Sequence, residues 1–232
     1  MRNAQNSHLG RNSIIVSFLL FLLPIASKAQ ENIRLGIHFD PVISWFSSDV
    51  SEIKNKGTRP GFNFGLTLNK YFTKNYSFST GLNIINAAGR LVSSDTVILD
   101  FTNFNSVVLP TRPIIYKLQY VSIPIGLKLQ TNEIGYISFF TDLGLDPKIV
   151  IGGKADIPSL DIKGEKATRE LNLFNLSYHI SAGIDYSLGG TTAMVLGLSF
   201  DNNFFDITED RSGQLADKIS HKLLSFRLGL IF

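Results

Sequence analysis

Cysteine is missing from this 232-residue chain, tryptophan occurs once and methionine twice. Without thiols there is no disulfide framework and no thiolate-built metal site. Beyond the first 29 residues there is also no apolar run of the ~20 residues that a spanning helix needs. Any membrane crossing by that part of the chain therefore has to use strands.

The first 29 residues read differently from the rest. Arg2 and Arg11 sit in a polar start, Ser13 to Ile25 form an uncharged apolar run, and Ser27 and Ala29 supply small residues around Lys28. This pattern predicts a secretory signal peptide, residues 1–29, cleaved after Ala29, followed by one domain over residues 30–232. Setting aside Arg2, Arg11 and Lys28 lowers the basic count from 22 to 19, equal to the 19 acidic residues. The pI near 9.0 of the whole chain is then no footprint of nucleic-acid binding.

What remains has period two. In Phe174 to Leu188, Phe, Leu, Tyr, Ile, Ala, Ile, Tyr and Leu alternate with Asn, Ser, His, Ser, Gly, Asp and Ser. Side chains alternate across a strand, so this is one long strand with an apolar and a polar face. The same alternation recurs over residues 33–45, 62–70, 76–86, 118–130, 136–150, 192–203 and 221–232, which predicts eight strands. Thr73 to Asn75, Thr131 to Gly135 and the pair Gly189–Gly190 are turn sequences. The stretches 46–60, 87–116, 152–172 and 204–220 are long and polar. Consecutive antiparallel strands produce this long–short alternation when all short turns lie at one end.

Alternation alone does not say which face points outward. A soluble barrel keeps its apolar face inside, whereas a membrane barrel reverses it. A solvated face would carry Lys and Glu; here the polar face is mostly Gly, Ser, Asn and Thr, small enough for a narrow barrel interior. The strands match the ~9–11 residues that cross a bilayer at a tilt. Outward-parity aromatics fall near strand ends, with Phe72, Tyr76 and Tyr186 by the short turns and Trp45 and Phe204 by the long stretches, as in interfacial girdles. The expectation is an all-β protein: an eight-stranded antiparallel up-and-down transmembrane β-barrel with short periplasmic turns and four long extracellular loops. Pro124 cannot donate to a ladder, so a local bulge is expected there, and similarly at Pro41 and Pro147.

Tyr120 to Leu129, "YVSIPIGLKL", resembles the tyrosine-x-x-isoleucine-proline-x-x-leucine-lysine strand of the PorT-like outer-membrane β-barrel proteins. The strand around Phe139 to Asp156, the "SAGIDYSL" strand and the "SFRLGLIF" segment follow in the same order, so the resemblance runs over residues 33–232. It implies an eight-stranded barrel in the bacterial outer membrane. The founding member is linked to type IX secretion, and many proteins of the same family name have no such role. The partners implied are the lipid bilayer, the barrel-assembly machinery during insertion, and secretion-system or envelope proteins. No cofactor and no nucleic acid are expected.

The ionisable residues of interior parity are Arg34, His38, Asp40, Lys128, Asp142, His179, Asp185, Asp201 and Arg227. Buried charges need partners, so these are expected to form a polar network filling the interior. Arg227 is expected to be balanced by an interior acid such as Asp185 or Asp201, the register deciding which charges pair. Of the four histidines, His8 lies in the signal segment, and His38, His179 and His221 sit on separate strands without metal-ligand spacing. The group Asp217, Ser220 and His221, and the pair His38 and Asp40 on one face of the first strand, offer a catalytic alternative, a small lipid-modifying enzyme, but no nucleophile motif accompanies either, and the expectation is that the protein is not an enzyme. Phe232 is expected to act as the C-terminal assembly signal. The function expected is structural or interactive within the envelope.

Overall fold

The computed structural model describes residues 32–101, 104–208 and 218–232. The segment predicted as a signal peptide lies outside them, as does Asp217. The fold is all-β and antiparallel. In chain order the strands are β1 (Ile33–Ser48), β2 (Ile53–Asn55), β3 (Arg59–Tyr71), β4 (Tyr76–Ser93), β5 (Val97–Asp100), β6 (Asn105–Val108), β7 (Pro113–Ser122), β8 (Ile125–Gln130), β9 (Ile137–Ile157), β10 (Ile162–Lys166), β11 (Phe174–Gly189), β12 (Thr192–Asn203) and β13 (Ile219–Ile231).

Eleven of these form one sheet, and β5 with β6 forms a separate hairpin. From β1 the pairing runs to β3, β4, then β7 and β8 together, β9, β11, β12 and β13. β13 pairs back onto β1, with Gly36 opposite Ile231 and Ser48 opposite Ile219. The circuit therefore returns to its start, and the backbone donors of its strands have neighbours on both sides.

Each of the periodic runs forms strand, but strand also extends into stretches that the sequence marked as long polar loops. β4 continues to Ser93 and β9 to Ile157, giving 18 and 21 residues. Residues 87–116, expected as one loop, contain the end of β4, the β5–β6 hairpin and the start of β7. The reason is burial beyond the periodic core of each strand. Leu91, Leu99, Phe101, Val108, Ile114, Tyr116 and Ile157 join Phe46, Ile219 and Leu223 in one apolar cluster at the long-connection end. The hairpin thus packs Leu99 and Val108 into the mouth of the circuit. At the other end the connections are short. Gly189 and Gly190 both adopt positive φ, 108° and 61°, which only glycine takes without strain.

No bulge occurs at the three prolines. Ser122 faces Lys148 and Ile125 faces Leu145, and on the other side Ser122 faces Asn83 and Ile125 faces Thr80, so the register is kept across Pro124. The strand is interrupted there, between β7 and β8. Ile123 N–H donates to Pro147 O at 3.1 Å, and Pro147 has no N–H to return. Two prolines meeting at one point break the ladder without shifting it. Between β7 and β9 the register slips elsewhere, at Ile151: Gln119 faces Gly152 but Tyr120 faces Val150. Beyond that bulge the inward residues of β9 change from even to odd numbers, and Gly153, Ala155 and Ile157 are buried.

The polarity of the molecule is inverted. Leu66 is 51% exposed and Leu228 47%, while Asp40 and Asn175 are 0% and Lys128 is 4%. Leu35, Ile37, Phe39 and Ile43 line the outer face of β1, with His38, Asp40 and Ser44 inside. In lipid an apolar outer face and a circuit of strands with a paired neighbour on each side answer the two requirements of the medium. Aromatic pairs cluster toward both ends of the outer face: Phe72 with Tyr76 and Tyr136 with Tyr186 at the short turns, Trp45 with Phe200 and Tyr178 with Phe204 toward the long connections.

Candidate functional site

Alternation carries every second side chain of β1, β4, β8, β9, β11, β12 and β13 into the interior, where the polar residues gather in three groups. The first lies at the β13–β1 seam. His38 bridges Asp40 Oδ2 at 2.9 Å and Asn83 Oδ1 at 3.1 Å. Asn63 Nδ2 donates to the same Asp40 oxygen at 3.1 Å, and Arg227 Nε stands 3.7 Å from it.

The second group lies on β9, β11 and β12. His179 Nδ1 sits 3.0 and 3.1 Å from the two oxygens of Asp146, and its Nε2 is 3.5 Å from Asp142 Oδ1. Lys148 Nζ donates to Asp201 Oδ1 at 3.2 Å. The third group is nearest the short turns. Lys128 Nζ donates to Asp185 Oδ2 at 2.6 Å and lies 4.2 Å above the Phe140 ring. Gln130 Nε2 also donates to Asp185 at 3.0 Å, and Tyr71 Oη donates to Gln130 Oε1 at 3.1 Å. Arg34 stacks its guanidinium 5.1 Å over Tyr71.

All nine ionisable residues expected inside are in these contacts, but Arg227 does not meet Asp185 or Asp201. Those two acids face Lys128 and Lys148. The β13–β1 register puts Arg227 opposite Asp40 instead, and register is what period alone leaves open. Asp146 and Lys148 were missed. They continue the even parity of Ser138, Asp142 and Gly144 along β9, so two further steps beyond Gly144 find them. Asn63 and Asn83 carry no charge and gave no signal.

His221 is fully buried in the apolar end, not in a polar site. Its Nδ1 lies 2.9 Å from Tyr120 Oη and its ring 4.7 Å from that of Phe46. Ser220 neighbours it on the same strand and so points to the opposite face, and Asp217 lies outside the described residues. The geometry does not bring Ser220 to His221. Two cavities in the polar interior have volumes of about 30 and 20 Å³, room for a water molecule each.

The family model described as outer membrane protein beta-barrel domain matches residues 4–209. No curated protein shows a significant match. Among solved structures the chain is similar to Neisserial surface protein A, at 10% identity and a TM-score of 0.46, covering 86% of this chain and 95% of that one. It is similar to Ail, the attachment invasion locus protein of Yersinia pestis, at 12% identity and a TM-score of 0.41, covering 88% and 100%. It is also similar to the outer membrane protease OmpT from Escherichia coli, at 8% identity and a TM-score of 0.44, covering 87% and 96%. With the family model spanning most of its length, and with apolar residues outside and polar ones within, the chain belongs to the outer-membrane β-barrel domain family and resides in the outer membrane.

Proposed function

We propose that this protein is a closed, eight-staved up-and-down barrel that serves the envelope as a structural or interaction platform rather than as a pore. The staves are β1, β3, β4, β7 with β8, β9, β11, β12 and β13. Residues 1–29 act as a cleaved signal peptide, the short turns face the periplasm, and the four long connections face outward. The observation that carries the reading is the filled interior: ion pairs occupy the middle, and the apolar cluster with the β5–β6 hairpin closes the long-connection end. Eight strands enclose little beyond side chains, and water-sized cavities do not form a conduit.

A PorT-like role in type IX secretion is a second reading, supported by the Tyr120–Leu129 motif. In that motif Tyr120 is buried against His221, and Pro124 marks the β7–β8 break. Two measurements test these readings. Purified protein in planar bilayers is expected to give no stepwise conductance, and regular steps would sink the closed-platform reading. Deletion of the gene in its host is expected to leave secreted proteins in place; their loss would favour the secretion role.

A further inference from the structure

The two small cavities of the interior, about 30 and 20 Å³, share part of their walls: His38, Thr67, Ser79, Asp142 and Arg227 line both. The larger is bounded by His38, Asn63 and Arg227 of the seam group and by Asp142, Asp146 and His179 of the second group. It therefore lies between the two groups.

Four buried atoms of the residues lining this larger cavity have no hydrogen-bond partner among the described residues: Asn63 Oδ1, Ser122 Oγ, Asp142 Oδ1 and Arg227 Nε. Asn63, Ser122 and Asp142 are 6%, 1% and 4% exposed. The orientation of the Asn63 amide is fixed, because its Nδ2 donates to Asp40 at 3.1 Å and a carboxylate offers only acceptors. Its oxygen is thus the atom left over. The ionic contacts of the other two are long. Asp142 Oδ1 is 3.5 Å from His179 Nε2, and Arg227 Nε is 3.7 Å from Asp40 Oδ2, against about 2.7–2.9 Å for a charge-assisted hydrogen bond. Beside the smaller cavity, both amide atoms of the buried Asn69 are unpartnered as well. Buried polar atoms are as a rule hydrogen-bonded, and a cluster of exceptions around one space marks a ligand that fills it.

We propose that each cavity binds one ordered water molecule and that neither binds an ion. The unmet atoms decide the chemistry. Asn63 Oδ1 and the ionised Asp142 Oδ1 need a donor, Arg227 Nε needs an acceptor, and Ser122 Oγ takes either. Arg227 repels a cation and Asp142 repels an anion, and a bare ion also loses its hydration on entry. A neutral molecule that both donates and accepts serves all four atoms. Water needs about 10–15 Å³ of such space and two to four polar partners, and both cavities supply them. Asn69 offers the second water one donor and one acceptor. The first water joins Arg227, which faces Asp40, to Asp142, which faces His179, so the seam group and the second group become one network. Apolar side chains close this chamber at both ends, the cluster around Phe46 at the long connections and Phe140, Val195 and Ile231 toward the short turns. The assignment rests on the reading of the circuit as a closed, filled barrel.

The test is diffraction from crystals of the full folded chain grown in detergent, at a resolution that shows ordered water, with a second set of crystals soaked in rubidium bromide. One peak is expected in each cavity, within hydrogen-bond distance of the atoms named, and no anomalous signal at either. Asn69→Leu keeps the side-chain size and removes both amide atoms, so it should abolish the second peak and keep the first. Heat-modifiable gel migration reports that the variant is folded, and the wild-type crystals decide the proposal even where it is not. No density in either cavity, a rubidium or bromide peak in one of them, or a second peak that persists in Asn69→Leu would each overturn the proposal. The planar-bilayer measurement separates this outcome from that of the closed-barrel reading. Ions in the cavities of a barrel that does not conduct overturn the water sites and leave the closed platform standing. Ordered water without ions in a barrel that conducts in steps overturns the platform and leaves the water sites standing.

Discussion

Leu228 donates its backbone N–H to the carboxylate of Asp40, 3.3 Å away, at the point where β1 and β13 part. Leu35 and Phe232 exchange two backbone bonds, which shows that odd-numbered residues of β1 turn their N–H toward β13. Pro41 is odd and has no N–H, and the ladder has no pairs between His38–Gly229 and Val42–Ser225. Asp40 fills that opening from inside. Its other oxygen takes His38 and Asn63 and lies nearest Arg227. Asp40→Ala strips a partner from every one of these groups at once. Removing one member of a buried charge cluster costs roughly 3–5 kcal/mol, so the urea midpoint of the folded protein in micelles should fall steeply. Asp40→Asn keeps two of the acceptor contacts and should lie between the two.

The Lys128–Asp185 pair provides a contrasting test. Both side chains are 5% exposed and 2.6 Å apart. Lys128→Met alone leaves Asp185 with Gln130 as its remaining hydrogen-bond partner among the described residues, and a loss of roughly 3–5 kcal/mol is expected. The double change Lys128→Met with Asp185→Leu removes both charges together. It should recover most of that loss, because replacing a whole buried pair by apolar residues is often close to neutral. Chemical denaturation of the four proteins of the cycle reads the coupling. A double variant as unstable as the sum of the singles would show that the pair has no coupling.

The interior at the long-connection end is tight as well as apolar. A methyl group added at Gly89 would run into the ring of Phe46, which is fully buried and enclosed by Tyr116 and His221. The ring has no open side to move into. Gly89→Ala is therefore expected to destabilise by about 1–3 kcal/mol, whereas Gly57→Ala, with open space around it, meets no such contact and differs only by its positive φ of 110°. Thermal loss of the heat-modified gel form compares the two.

Much of this was legible in the sequence, for a physical reason. Side-chain direction in a strand depends on position alone, so the outward row of β1, from Leu35 to Ile43, and the inward row of His38 and Asp40 could be read directly. The partners across the interior could not. Arg227 meets Asp40 because of the β13–β1 register, and no property of either residue encodes that. Pro124 misled for a related reason. A missing donor can be accommodated by a bulge or by an interruption, and Pro147 facing Ile123 decides for the interruption. The bulge at Ile151 has no proline and sits within a run of apolar residues, Ile149 to Ile151, where alternation is silent. The buried end escaped because its strands continue through Ser, Lys and Arg, and composition there resembles a loop.

Tyr120 tests the buried end from its polar side. It is 1% exposed, and among the described residues its hydroxyl hydrogen-bonds to His221 Nδ1 across the interior. Tyr120→Phe keeps the packing but leaves His221 without that partner. Abandoning a buried polar atom costs about 1–3 kcal/mol. Adding His221→Leu to Tyr120→Phe removes the orphaned ring and should restore part of the loss in the same denaturation assay. If Tyr120→Phe is as stable as wild type, the hydrogen bond contributes nothing and the motif tyrosine is held by packing alone.

Phe232 separates assembly from stability. Its backbone closes the seam, donating to Leu35 O at 2.7 Å and accepting from Leu35 N–H at 3.3 Å, while its ring is 50% exposed on the outer face. Phe232→Ala keeps both backbone bonds, and a half-exposed ring contributes little to the folded state. The refolded variant should match wild type within about 0.5 kcal/mol. In cells, however, the ring is the group proposed to be read by the insertion machinery, so the variant should reach its heat-modifiable form several times more slowly in a pulse-chase experiment, on the order of the effect of losing one recognition anchor. Deleting Phe232 outright removes the two backbone bonds too, and should lower stability by about 1–2 kcal/mol in addition to slowing assembly. Wild-type assembly kinetics for Phe232→Ala, together with slow assembly of the deletion, would assign the effect to seam closure and not to recognition of the ring.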